Sequence, residues 1–400
     1  LMPAGGIVHY LIETQRTDPE ARFAHLQPPR KFERAEHLVI DQTTLASLEV
    51  ERTLRSGSTD GSLLGTLQRC TTAMGKRLLR NWLCYPLADR AKIEQRQRIV
   101  ETFAQDARHR REIVEALDQV QDIPRIAGRL SVRRASPRDL VALGLSLQPI
   151  RALLQLCENA DALQPYHKLF HELADDLAQL AERIETACVD EPPAHLREGG
   201  LIKDSFDEQL DEYRSLQRDS HDWLARYQKD LCEQTGIPSL KVGYNKVFGY
   251  YIEVTAAHRA KLDDENNADL FRGWTRKQTL KNAERFITEQ LKTFEEKVLS
   301  AESKAVAREQ VLFEQLCDQA SEHIEALQRF SQAVASLDVL ASFAELATRR
   351  QYVRPTITDV PTLDIRGGRH PVLDETLGDQ FVPNDVALGG SKLEDGGWSE

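Results

Sequence analysis

Eighty-one consecutive residues, 274–354, contain neither glycine nor proline, and a second tract of 35 such residues spans 201–235. A chain rarely runs that far without a helix breaker unless it is helical. The apolar residues agree with that reading. In the longer tract Ile287, Leu291, Phe294, Val298, Ala301 and Ala305 step by three or four, and Leu312, Leu316, Ile324, Leu327, Val334 and Leu337 extend the stripe. In the shorter tract Phe206, Leu210, Tyr213, Leu216, Trp223, Tyr227 and Leu231 do the same. At about 1.5 Å per residue, a 60-residue helix would reach roughly 90 Å. One apolar stripe cannot be buried by itself, so the two helices are expected to pack antiparallel as an arm. Between them Leu240, Val242 and Tyr244, then Tyr250, Ile252 and Val254, alternate with other residues around Asn245-Lys246. This period of two predicts a short hairpin, and hence a β-rich tip on a helical arm.

Before the arm, segments 63–84, 92–118, 137–157 and 168–188 carry apolar residues at helical spacing, with Pro86, Pro124, Pro137 and Pro165 near their ends. They predict a helical bundle. After the arm, Pro355, Pro361, Pro371 and Pro383 end the helix, and Thr362–Ile365 and Phe381-Val382 read as strands that open another domain. Aromatic residues are only 6% of the chain and charged residues 29%, which fits long charged helices better than stacked β-sheets. The net charge of −11 excludes a polycation, so any nucleic-acid contact must come from a local patch. The apolar runs fall short of the roughly 20 residues a membrane span needs. The start of the chain lacks a secretory pattern, and six scattered cysteines form no C-x-x-C. The expected setting is the reducing cytoplasm, without a membrane.

The chemistry concentrates at the tip. From Arg272 to Arg285, five basic residues (Arg272, Arg276, Lys277, Lys281 and Arg285) face one acid, Glu284, a local charge of +4. Gln278, Thr279 and Asn282 are interleaved with them, and Lys241 and Lys246 on the hairpin add to the patch. Cations mixed with short polar side chains suit positioning on phosphates. Trp274 and Phe271 are the nearby aromatics, too few for a stacking platform, so duplex backbone is the expected ligand. With about four phosphates contacted, log K would fall with log salt at a slope of roughly −3.6. The competing readings are a solvated basic face and, for the arm, a helical scaffold that recruits proteins without binding DNA. Gly75-Lys76-Arg77 is not a P-loop, because Arg77 stands where Ser or Thr must hold magnesium and Cys70 where the first glycine belongs. His167 and His171 are spaced as zinc ligands, but Lys168 occupies the place of the metalloprotease glutamate. Asp263-Asp264-Glu265 reads as a solvated turn, and the pairs Gly389-Gly390 and Gly396-Gly397 as loop. No constellation is catalytic.

Four separated blocks nevertheless carry a resemblance. They are Leu63-Leu64 through Cys70-Thr71-Thr72-Ala73-Met74-Gly75-Lys76-Arg77 to Pro86-Leu87, then Leu240–Asn245 with Gly249–Ile252, then Gln278–Phe286, and last Gly368–Val372 with Phe381–Asn384. In this order the chain resembles the bacterial MutS family of DNA mismatch repair proteins. The resemblance implies a mainly α fold. A helical core bundle would carry two long antiparallel lever helices and a small β-rich clamp, followed by the strand-like start of a truncated ATPase domain. It divides the chain into 1–30, the end of a connector domain; 31–200, the core; and 201–236, the outgoing lever. Residues 237–286 would be the clamp, 287–354 the returning lever, and 355–400 the first part of the ATPase domain. The clamp contacts carry over onto Arg276–Arg285, with Lys281 and Asn282 foremost. Phe381 and Val382 match positions that pack on adenine. The family's mismatch-reading Phe-x-Glu motif would precede Leu1 and its P-loop would follow Phe381 by about twenty residues, so neither falls in this chain. The resemblance thus implies no enzyme activity and no cofactor for this stretch. For the full-length protein it implies a DNA-dependent ATPase using ATP and magnesium, double-stranded DNA as partner, self-association and a downstream repair protein.

Overall fold

The computed structural model describes residues 2–15, 36–245, 249–258, 261 and 271–389. Lys246 and the acidic run Asp263–Glu265 therefore lie outside the described residues, as do Gly390, Gly396 and Gly397. The chain forms two compact units. One comprises 1–135, 139–185 and 317–400; the other comprises 136–138 and 186–316.

The first unit is a helical bundle with a β-ribbon. Up to residue 187 its helices are α1 (Met2–Gln15), α2 (Gln42–Ser47), α3 (Leu63–Leu67), α4 (Ala73–Cys84), α5 (Arg90–Gln105), α6 (Ala107–Asp118), α7 (Ile123–Ser131), α8 (Pro137–Leu147), α9 (Ile150–Glu158) and most of α10 (Gln164–Ala187). Three of the expected helical segments are divided. Segment 92–118 breaks where the Asp106 carboxylate accepts the N–H groups of Arg108 and His109 at 3.0 and 2.9 Å and so starts a new helix. Segment 137–157 breaks before α9 at Pro149, which has no N–H to give. These two helices make up the one stretch among the described residues, 137–158, long and apolar enough to cross a membrane. Here its Leu140, Leu143, Leu147, Ile150 and Leu153 are buried in the bundle.

Segment 63–84 breaks at 68–72, and the reason lies elsewhere in the chain. Helix α13 (Ile324–Arg350) is buried nearly all round, through Leu327, Phe330, Val334, Leu337, Leu340 and Ala344, and packs on α4, α5, α6 and α7. From its middle Asp338, 2% exposed, accepts hydrogen bonds from the backbone N–H groups of Thr71 and Thr72 at 3.1 and 2.9 Å. The two threonine hydroxyls add bonds of 3.3 and 2.6 Å. Thr72 Oγ1 in turn accepts the N–H of Gly75 at 2.9 Å and caps α4. A Cβ at Gly75 would overlap the Asp338 carboxylate. The likeness of Gly75-Lys76 to a phosphate loop thus has a physical basis, since a helix N-terminus does hold an anion here. That anion is an aspartate of the same chain.

Beyond α13 the chain forms β5 (Thr362–Gly368), α14 (Pro371–Leu377) and β6 (Asn384–Gly389), with β5 and β6 paired antiparallel. Glu375 of α14 is held by Arg69 at 3.0 Å and by Arg350 at 3.4 Å. Phe381-Val382 does not form the expected strand. Phe381 N–H closes a turn on the Gly378 carbonyl at 3.0 Å, and Pro383 lacks a ladder donor, so pairing begins at Asn384.

The second unit contains the arm. Helix α11 (Glu208–Thr235) has 28 residues and α12 (Glu289–Glu322) has 34, about 42 and 51 Å long. They run antiparallel, because rising numbers on one meet falling numbers on the other. Asp207, which caps α11, binds Arg308 at 2.6 Å, Trp223 stacks on Phe294, and the hydroxyls of Tyr227 and Thr288 lie 2.6 Å apart. At the Arg308 end, Glu309 is 3% exposed and accepts the N–H groups of Gly200 and Leu201 at 3.0 and 2.9 Å and Arg214 at 2.7 Å. The tract 274–354 is therefore not one helix. Its first residues are strands, and α12 gives way to α13 at His323 (φ −95°, ψ 11°), where no glycine or proline marks the break.

Two measurements test this account. Asp338→Ala strands four donors, among them the buried backbone N–H of Thr72 and the part-buried one of Thr71, and should cost the helical unit about 3 kcal/mol or more in urea unfolding. Gly75→Ala should be comparably damaging, and a loss below about 1 kcal/mol in both would remove the carboxylate from its organising role. Burial pushes the thiols of Cys70, Cys157 and Cys188 up to about 12, whereas Cys232 and Cys317 are partly exposed. Alkylation of the folded protein at neutral pH, read by mass spectrometry, should label Cys232 and Cys317 first and leave the buried Cys70, Cys84, Cys157 and Cys188 unmodified.

Candidate nucleic-acid interface

At the end of the arm where α11 finishes and α12 begins, β1 (Lys241–Asn245), β2 (Gly249–Thr255), β3 (Thr275–Thr279) and β4 (Ala283–Ile287) form an antiparallel sheet in the order β1-β2-β4-β3. The predicted hairpin is present, and the basic run 272–285 supplies the other two strands rather than a helix face. Ile252, Val254 and Phe286 turn inward onto Tyr227, Leu231, Leu240 and Leu291. Aromatic rings bind the first hairpin to both helices. Trp223 and Phe294 stack at 3.8 Å and 10°, Phe294 meets Tyr250 at 5.7 Å, and Tyr250 meets Tyr244 at 4.9 Å. Burial, with Tyr244, Glu295 and Glu302 nearby, holds the Tyr250 phenol above its ordinary range. Gln228 accepts the N–H of Val242 at 2.9 Å and so covers part of the β1 edge.

Register decides which basic side chain faces where. Phe286 pairs with Ile252 and with Arg276, and Glu284 with Val254, so Arg276 and Glu284 share the inward face. Glu284, 3% exposed, lies 2.9 Å from the Arg276 guanidinium, which also lies over the Phe286 ring. On the outward face Lys241 pairs with Glu253, Glu253 with Arg285, and Arg285 with Gln278. Arg285 donates through Nε to Glu253 at 2.9 Å and through Nη1 to Gln278 Oε1 at 3.1 Å. Its guanidinium sits 4.0 Å from the centre of the Tyr251 ring, and its side chain is 17% exposed. Tyr251 can lie that flat because it crosses β1 at Gly243, where a Cβ would come within 3.0 Å of its hydroxyl.

The exposed part of the patch is the turn. Leu280 N–H donates to the Ala283 carbonyl at 2.8 Å and places Lys281 and Asn282 at the corner, both exposed. The Asn282 carbonyl accepts the N–H of Ala256 at 2.9 Å, which ties the corner to the end of β2. Lys241, Lys277 and Thr279 are also exposed, as is Arg276, whose side chain is 45% accessible despite its pairing with Glu284, and Lys277 is the extra residue of a bulge in the edge strand β3. The structure thus brings Lys241, Arg276, Lys277, Gln278, Thr279, Lys281, Asn282 and Arg285 onto one sheet. Phe381, half-buried, and Val382, 72% exposed, belong to the other unit. Sequence reasoning did not single out Glu253 or Tyr251. The alternation of β2 already put both opposite Ile252 and Val254, but only the cross-strand register joins them to Arg285.

A helical bundle, together with a two-helix arm ending in a basic four-stranded sheet, defines a lever-and-clamp class of protein. The family described as MutS domain III matches residues 43–344. The DNA mismatch repair protein MutS of Salinibacter ruber (strain DSM 13855 / M31) is 39% identical over 393 residues, 97% of this chain and 41% of that protein. Its counterparts in Rhodopirellula baltica and Geobacillus kaustophilus are each 42% identical over 96% of this chain, covering 41% and 42% of their own lengths. The chain belongs to the MutS family, and it spans about two fifths of the length of these relatives.

Proposed function

We propose that this chain is the core, lever and clamp part of a DNA mismatch repair protein, and that the sheet at the end of the arm holds duplex DNA by its backbone. The observation that carries this reading is the turn at 280–283, which presents Lys281 and Asn282 to solvent beside Lys241, Lys277 and Thr279. Lysine, amide and hydroxyl side chains grouped on one turn and its flanking strands suit hydrogen bonding to phosphate oxygens, the contacts that position a protein on a duplex. Arg276 and Arg285 brace the sheet through their carboxylate partners. Family membership weighs against the alternative of a protein-recruiting scaffold.

In the full-length protein this grip is coupled to ATP turnover, with self-association and a downstream repair protein as partners, in the cytoplasm. Six free cysteines support a reducing setting. Phe381 and Val382 can offer two apolar side chains to an adenine. The helix N-terminus at Thr72–Gly75 is already filled by Asp338 and does not offer its phosphates a cradle.

Fluorescence anisotropy with a labelled duplex tests the clamp. Binding should weaken steeply with salt, and Lys281→Ala/Asn282→Ala should lower affinity and flatten the slope of log K against log salt by about 0.9. An unchanged slope would refute contact through this turn.

A further inference from the structure

Arg285 is the most central cation of the sheet's outward face, and it is not available. Glu253 neutralises it at 2.9 Å, Gln278 takes a second donor at 3.1 Å, and Tyr251 covers one side of the guanidinium. The Glu253 side chain is 28% exposed, more than that of Arg285, so a phosphate approaching this face meets a carboxylate beside the guanidinium. Lys241 stands directly across from Glu253 in register, which makes the carboxylate the neighbour of two cations. We infer that Glu253 is an attenuating residue, which keeps Arg285 out of phosphate contact and confines the clamp's grip to the turn at Lys281-Asn282 and the neighbouring lysines.

This inference rests on the clamp reading above and adds a direction to it. A pair serving only to stabilise the sheet would leave DNA affinity unchanged, or lower it, when broken. A carboxylate that masks a cation would raise affinity when removed. Arg285 would remain beside Gln278 and Tyr251, on the outward face, with donors released. One added phosphate contact steepens the salt slope by about 0.9, which is about a 3.5-fold greater loss of binding between 50 and 200 mM salt.

The test is a salt titration of labelled-duplex binding by the wild-type chain, Glu253→Gln, Arg285→Gln and the double variant, with folding checked by circular dichroism. Glu253→Gln should bind several-fold tighter at low salt with the steeper slope. Arg285→Gln should keep the wild-type slope, and the double variant should lose the gain. A flatter slope in Arg285→Gln overturns the inference, because Arg285 would then already touch phosphate; this arm decides even where Glu253→Gln folds poorly. A folded Glu253→Gln that binds no tighter overturns it too. If Lys281→Ala/Asn282→Ala leaves binding intact, the clamp reading fails independently of Glu253. Absence of binding by both wild type and Glu253→Gln sinks both.

Discussion

The Asp338 carboxylate is the anion around which the helical unit is organised. A buried charge is tolerated only when its oxygens are satisfied, and here two backbone N–H groups and two hydroxyls converge on them. Satisfying it fixes three things together. The chain must leave helix at 68–72 to turn its N–H groups inward, Thr72 must cap α4, and residue 75 must lack a side chain. The central helix α13 is thereby keyed to α4 at one rotational setting, so its apolar residues meet the surrounding helices in one register. Hydrophobic burial supplies most of the stability of such a bundle, but it is non-directional and would permit sliding. The polar contact selects among packings.

The arm uses the same device. Glu309 gathers two backbone N–H groups and Arg214 where α12 passes the 200–201 loop, and Asp207 caps α11 while gripping Arg308. The sheet differs: Glu284 is buried and lies 2.9 Å from the Arg276 guanidinium, but its oxygens accept no hydrogen bond of good geometry among the described residues. Buried carboxylates that gather backbone N–H groups therefore set register in bundle and arm alike. This also changes the meaning of a basic run. Of the five cations between 272 and 285, Arg285, 17% exposed, is committed to a carboxylate within the sheet and Arg276, 45% exposed, is paired with another, so formal charge overstates what the tip offers to a phosphate.

Periodicity made the long helices and the first hairpin legible, because each rests on local spacing that a stripe or an alternation records. The splits at Asp106 and Pro149 were legible in kind, since a cap residue and a proline stood in place, yet the apolar stripe ran across them. The break at 68–72 was not, because its cause is Asp338, about 270 positions away. The break at His323 carries no breaker residue at all. Within the candidate interface, charge located the basic patch, while the division of its arginines depends on cross-strand register and on the Arg276–Gln278 bulge. A one-residue shift in pairing would exchange the faces, and composition does not report such a shift.

That register matters because the two hairpins of the sheet are held differently. The β1–β2 hairpin is fixed to both helices, by Gln228 on the N–H of Val242, by Phe294 on Tyr250, and by Glu295 filling the space beside Gly249. The β3–β4 hairpin joins through the β2–β4 ladder, with Phe286 and Trp274 packed behind it. Its corner at Lys281-Asn282 therefore takes its position from β2, and β2 takes its position from the stacked rings between α11 and α12. A change in how the two helices pass each other at Trp223 and Phe294 would reach the corner through pairing that includes Glu253 and Arg285. The ion pair that masks a cation is thus also one cross-strand link between the anchored hairpin and the exposed one, within the four pairs of the β2–β4 ladder that place the turn.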